Sequence, residues 1–203
     1  MSFNNSQTHP LIKKVPNYFM DCKHISIHSE DRDRTVWRDP NNFEVQLPDV
    51  FKNVQSIHLK DLYLPINNGP SSSFPKNRDQ THVYMEVEKF NTIDELEPTF
   101  DPRNTSAVVQ NKVGARVNSS FAVIPISPYS SNNIYTCDGG DFASLSYFNP
   151  PIEKISKLKF KFRFHDGSLV QFENELQITL VFNMLINEHE YKFNINTPGG
   201  NYV

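Results

Sequence analysis

The amino-acid sequence predicts an all-β protein: an antiparallel jelly-roll-like β-sandwich with long loops and an extended N-terminal arm. Three observations carry this expectation. Apolar and polar residues alternate at period two in run after run, the mark of strands with one buried and one wet face. Sixteen Phe and eight Tyr supply most of an aromatic content of 12%, and aromatic side chains suit a pleated, half-buried surface. Turn formers such as Asp39-Pro40-Asn41-Asn42 and Asp166-Gly167 separate the runs, and almost no segment reads convincingly as helix.

Residues 1–21 are polar, proline-punctuated and without periodicity, which reads as an arm that orders only against something else. Residues 22–203 are then one sandwich domain with long insertions at about 66–81, 91–120 and 127–151, since 203 residues suffice for one domain with a real core. Ile25 and Ile27 begin the first strand. After the Asp39–Asn42 break, Phe43, Val45 and Leu47 mark the second, and Val54 to Leu64 form a third. Its apolar phase shifts between Leu59 and Leu62, which predicts a bulge near Lys60-Asp61 or burial on both faces. Asn67 to Ser73 is a loop by composition, and Val83, Met85 and Val87 set the phase of a strand from His82 to Phe90.

Thr92-Ile93-Asp94-Glu95 has the form of an N-cap followed by an acidic first turn, with Pro98 and Pro102 limiting any helix to about one or two turns. Ser106 to Val117 fits a strand or a short helix equally well. Phe121 to Ile126 is strand-like, and Ser127 to Pro151 reads as a long Ser/Asn/Tyr/Gly loop of the kind that binds something or embraces a neighbour. From Lys157 to Phe164 the alternation is strict: Leu158, Phe160, Phe162 and Phe164 face one way, Lys157, Lys159, Lys161 and Arg163 the other. Asp166-Gly167 predicts a two-residue hairpin turn, with Leu169, Val170 and Phe172 starting the return strand. Leu176 to Ile186 and a last run at Tyr191, Phe193 and Ile195 bring the total to about eight or nine strands.

A formal charge of -3 and a pI near 6.2 give no global reason to bind nucleic acid or an anionic membrane. No apolar run reaches the roughly 18 to 20 residues of a bilayer-spanning helix, and the N-terminus lacks a signal-peptide core, so export is not expected. Cys22 and Cys137 are then expected to be reduced and structural, and the sequons at Asn104 and Asn118 to be loop chemistry only.

Several side-chain groups are candidates for chemistry. Glu30-Asp31-Arg32-Asp33-Arg34 reads as a divalent-metal loop, a partner interface, or a turn held by internal ion pairs; it lacks the regular spacing and Gly of a calcium loop. His24 and His28 share a strand face, but roughly 13 Å of rise separates them, too far for one ion. The Lys157, Lys159, Lys161, Arg163 stripe is suited to nucleic acid, an anionic membrane or an acidic protein surface, or is simply a wet strand face. Trp37, beside Arg38, is a core residue or an interface anchor. Cys137-Asp138-Gly139-Gly140-Asp141 reads as a Gly-rich turn, because no positioned base accompanies the thiol. No catalytic, cofactor or metal residue is assigned.

Two segments resemble parts of the minor capsid proteins of large icosahedral double-stranded DNA viruses, the nucleocytoplasmic group that includes the chloroviruses. The first runs Ile27-His28-Ser29-Glu30-Asp31-Arg32-Asp33, Trp37, Pro40-Asn41, Phe43 to Pro48, Val54, Ile57, Leu59 and Leu64-Pro65; the second runs from Phe148-Asn149-Pro150-Pro151-Ile152 through Asp166-Gly167-Ser168. The resemblance brings no catalytic residue. It implies a non-enzymatic virion protein on the inner face of the shell, assembled in host cytoplasm, that cements major capsid and other minor capsid proteins and contacts the inner viral membrane surface. It implies no specific nucleic acid and no cofactor. Arg32, Arg34, Trp37, Arg38, Lys157, Lys159, Lys161 and Arg163 are the candidate interface. Two rivals are a carbohydrate- or host-recognition sandwich using Tyr129, Tyr135 and Tyr147, and a hydrolase that would gather Asp33, His24 and Asp138.

Overall fold

The computed structural model describes residues 18–95, 119–126, 134–138 and 145–187. Among them lie nine strands: β1 (Tyr18–His28), β2 (Asn42–Pro65), β3 (His82–Val87), β4 (Ile93–Asp94), β5 (Ser119–Ser120), β6 (Ala122–Pro125), β7 (Ile134–Asp138), β8 (Leu145–Arg163) and β9 (Gln177–Asn187). The helical pieces among the described residues are single 3-10 turns, Ser29–Asp31 and Pro75–Asn77. Seven strands join in one antiparallel sheet in the order β1-β9-β2-β8-β3-β6, with β7 also on β2, while β4 and β5 form a separate ribbon. The sheet curls into a half-barrel.

β2 is the spine. The two strands expected over Phe43–Leu47 and Val54–Leu64 are one strand of 24 residues. Straight, it would be roughly 80 Å long, against a radius of gyration near 17 Å for a compact chain of this size, so it has to bend. It bends where its registers shift: between Gln46 and Phe51, between Val54 and Ser56, and between Leu59 and Asp61. Phe43, Val45 and Phe51 keep one buried phase; it then slips to Val54, again to Ile57 and Leu59 at the middle shift, and again to Leu62 and Leu64 at the last. The last shift is the bulge expected near Lys60-Asp61, and it leaves Lys60 in solvent. At the middle shift β8 inserts residues 148–151 between the partners of Val54 and Ser56, and Pro150 and Pro151 there have no N–H to give a ladder.

Other elements differ from expectation. Residues 127–151 are not a continuous loop: β7 lies in that span and β8 begins in it, the two sharing one edge of β2, with β8 reaching His58 and β7 pairing Asp61 to Pro65. Ser, Asn and Gly dominated the composition there, while a distant partner, β2, decides the conformation of Ile134, Tyr135 and Leu145. Ile93 and Asp94 are paired with Ser120 and Ser119 rather than starting a helix, and the Thr92 N–H donates to the Ser120 carbonyl at 3.1 Å. Tyr18 to Asp21, expected in the arm, pair with Asn187 to Met184. Residues 1–17, the Ser106–Val117 segment and the last run at Tyr191, Phe193 and Ile195 lie outside the described residues.

The turn at Asp166-Gly167 has three residues, not two. The Phe164 N–H donates to Ser168 O at 2.8 Å and the Gly167 N–H to Phe164 O at 3.0 Å, with Gly167 at φ 82. This is a type I turn closed by a left-handed residue, a position where glycine costs nothing. The return is a single bridge, Arg163 to Leu169, and then an irregular strap. That strap holds down the 66–81 segment: buried Asn77 donates through Nδ2 to Gln171 O at 2.6 Å and accepts from the Gln171 N–H at 3.3 Å.

One apolar cluster results, with contributions from β1, β2, β3, β6, β8 and β9. Phe43 meets Phe160 at 5.2 Å between ring centroids and Phe51 meets Phe182 at 4.9 Å. Truncating Phe160 to Ala is expected to cost about 3–5 kcal/mol and Ile57→Val about 0.5–1.5 kcal/mol. Gly167→Ala meets no atom within 4 Å, so its cost should be backbone strain alone, about 1–2 kcal/mol. Urea denaturation midpoints at unchanged slope would check all three.

Candidate functional site: the charged turn and the basic strand face

β1 ends in the 3-10 turn Ser29–Asp31, and the chain then doubles back through residues 33–38. Arg32, buried, organises this turn. Its Nη1 donates to Ser29 O at 2.6 Å and to Glu175 Oε2 at 2.5 Å, its Nε to Trp37 O at 3.0 Å, and its Nη2 to Arg38 O at 3.0 Å. Ser29 is fully buried; its hydroxyl donates to Glu175 Oε2 and accepts from the Leu176 N–H at 2.9 Å. Arg34 adds a second cation, donating through Nη2 to Glu175 Oε1 at 3.2 Å and Glu30 Oε1 at 3.1 Å. Asp33 accepts through Oδ1 from both the N–H and the hydroxyl of Thr35, at 2.9 and 2.6 Å.

The turn is held by internal ion pairs of Arg32 and Arg34 with Glu175 and Glu30. Among the described residues no group of three His, Cys, Asp or Glu side chains converges as a metal ion would require. Burial pushes the Glu175 carboxyl up, but hydrogen bonds from Arg32 and Ser29 and the charges of Arg32 and Arg34 outweigh it and hold it below the ordinary carboxylate range. The Thr35 hydroxyl and N–H likewise hold the Asp33 carboxyl low.

The basic stripe is neutralised along its length. Lys157 Nζ lies 3.0 Å from Glu44, Lys159 3.3 Å from Glu88 and Lys161 3.5 Å from Glu86. Arg163 departs from the exposed face expected of it: its side chain is 1% exposed, pairs with both Glu86 and Glu95, and has the Tyr84 ring 5.1 Å from its guanidinium carbon. The reason is position. β8 lies between β2 and β3, so its polar face meets acids on either side, and Glu95 closes over the last cation. A polyanion would have to displace these carboxylates to reach the stripe.

Trp37 joins the two sets, because it is half-buried and Lys159 Nζ sits 5.3 Å from its ring centroid. Of the candidate cations, Arg38 is exposed and has no carboxylate within ion-pair distance among the described residues. The sequence does not single out Glu175, the hub of the turn, nor assign Glu44, Glu86, Glu88 and Glu95 as partners of the cations. Glu86 and Glu88 had a readable signal, since Glu86 is on the polar face of β3 and Glu88 continues that alternation just past its end. Glu175 had none, being 143 residues from Arg32.

His24 and His28 lie on β1, with Nδ1 of His28 accepting from the Glu30 N–H at 3.3 Å. Cys22 is an exposed free thiol, and Cys137 and Asp138 belong to β7 rather than to a turn. Tyr147, 58% exposed, and Tyr135 are on strands and not in one loop, while Tyr129 is outside the described residues.

A relative accompanies this geometry. The chain is 26% identical over 148 residues, 72% of its own length and 72% of the other, to penton capsid protein P1 of Paramecium bursaria Chlorella virus 1. No protein-family model matches it.

Arg32→Ala would remove the buried cation of Glu175 and the side-chain donor to three carbonyls and is expected to cost about 3–5 kcal/mol, whereas Arg34→Ala, at a half-exposed pair, should cost under about 1 kcal/mol. Because folding lowers the Glu175 pKa, its contribution is present above the unfolded value near 4.5 and lost as pH falls through the folded one. Glu175→Gln should therefore flatten the acid limb of stability measured by denaturation from pH 6 downward.

Proposed function

We propose that this chain is a structural protein of a viral capsid and not an enzyme: a minor component that cements the shell of a large icosahedral DNA virus. The observation that carries the reading is the likeness to a penton capsid protein across 72% of both chains. The physical properties agree with it. Ionisable groups at the charged turn and basic stripe are engaged in holding strands together, which suits a passive building block. Exposed apolar side chains at Tyr18, Phe19 and Met20 and at Leu145 and Tyr147 give two patches for protein neighbours. The partners would be major capsid and other minor capsid proteins, in the virion on the inner side of the shell after assembly in host cytoplasm. Contact with an inner membrane surface would use Arg38 before the neutralised lysines. In this reading the curled sheet is one wall of a jelly-roll-like sandwich, the N-terminal arm and inserted segments reach to neighbours, and residues 22–203 act as one unit.

Quantitative mass spectrometry of purified virions tests it. The expected result is many copies per particle at a fixed ratio to the major capsid protein. Detection in infected-cell lysate alone would overturn the proposal.

A further inference from the structure

β2 and β1 are not hydrogen-bonded to each other, yet the curl of the sheet brings them side by side. Lys23 Nζ of β1 meets Asp49 Oδ2 of β2 at 2.6 Å, and beyond that pair the strands separate around a cleft of about 710 Å³. Residues 25–27 form one wall, residues 44–48 the other, and the turn bearing Asp31, Asp33 and Trp37 closes the end. Consecutive residues line both walls, including side chains that point to opposite faces of each strand. The walls are therefore strand edges and not sheet faces.

The hydrogen-bond phase says which main-chain groups face the cleft. The Ser29 N–H donates to Leu176 O at 2.9 Å, so the alternation of an antiparallel ladder turns the N–H and C=O of Ser26 away from β9. On β2 the Phe162 N–H donates to Asn41 O at 2.8 Å, and on the far side of β8 the Glu88 N–H donates to Lys159 O at 3.0 Å. Glu44 and Gln46 thus direct their own N–H and C=O away from β8, toward β1. Among the described residues neither edge has a ladder partner here, and the two face each other across an opening.

The chemistry of the lining defines the occupant. Ile25, Ile27, Val45 and Leu47 supply an apolar floor, and Asp31 and Asp33 supply charge that no cation offsets among the described residues. We propose that the cleft is a strand-addition site for an extended segment of another polypeptide, apolar at alternate positions and carrying Lys or Arg where it passes Asp31 and Asp33. Main-chain bonds to Ser26, Glu44 and Gln46 give affinity, and the two aspartates give polarity and selection. The assignment deepens the shell reading by naming where a neighbour would attach, but peptide binding by the purified chain tests the cleft wherever the protein resides.

Trp37, the sole tryptophan, lines the cleft and reports on it. The probe is a capped heptapeptide alternating Lys and Val, titrated against the full chain while Trp37 emission is followed. Controls are a Glu–Val counterpart, the Lys–Val peptide N-methylated at alternate residues, and the protein variant Asp31→Asn/Asp33→Asn, whose fold is checked by circular dichroism. The expected result is a saturable change in emission with the Lys–Val peptide, weakened about tenfold or more by N-methylation and by the double variant. Absence of saturable binding, or equal binding of the N-methylated peptide, would overturn strand addition. Equal binding of the Glu–Val peptide would overturn the assigned partner chemistry.

Discussion

The fold depends on one constraint: β2 is continuous, is paired on both edges from Val54 onward, and is too long to stay straight. A period-two strand that bent without slipping would keep one face buried only where it began. β2 resolves this by shifting register, and the shift between Val54 and Ser56 occurs in the β8 and β9 ladders at the same place. Both neighbours therefore turn with it. Each slip returns an apolar residue to the interior, so Phe51, Val54, Ile57 and Leu62 all belong to one cluster although they do not share one alternation. The bend near Pro48 is also what sets the first half of β2 opposite β1 instead of beside β9.

Burying arginines is the second consequence of the curl. Where the turn after β1 and the end of β8 are drawn in, the polar side chains there leave water, and each is matched in full. Arg32 has Glu175 and three carbonyls, and Arg163 has Glu86 and Glu95. Such groups add little net stability compared with apolar residues of the same volume, but one partner without the other is strongly unfavourable. Their value lies in specificity: Arg32 fixes the end of β1 against the entry to β9 through Glu175, and Arg163 fixes β8 against β3 through Glu86.

How much of this was legible in the sequence follows from the range of the interactions. Alternation is local, so Val83, Met85 and Val87, the Leu158 to Phe164 face and the slip near Lys60 could all be read directly. The union of Phe43–Leu47 with Val54–Leu64 could not, because Pro48, Asp49 and Asn53 look like a break, and only the β8 partners on either side of them, Lys157 for Gln46, Ile155 for Phe51 and Ile152 for Val54, join the two runs. The same is true of Ile93-Asp94, whose capping pattern yields to pairing with Ser119-Ser120. For the site, the cations were visible and their carboxylates were not. Arg32 and Arg163 stood out as exposed charge in a linear pattern, whereas Glu175 and Glu95 reach them only through the fold.

Edge strands in a monomer are ordinarily blunted, and the two edges at the cleft show how selectively that has been done. Lys23 and Asp49 lock the narrow end, and Pro48 has no N–H to offer a ladder there. Asp31 and Asp33 guard the wide end by charge, not by covering it. An acidic guard rejects another acidic edge, including the same edge of a second copy, while it draws in a cationic strand, so repulsion and attraction act in the same direction on selectivity. With screening over roughly 8 Å at physiological salt, only a cation that enters the mouth feels these groups. The position of a basic residue along the incoming segment would then set its register, as the cross-strand Lys–Glu pairs do along β8.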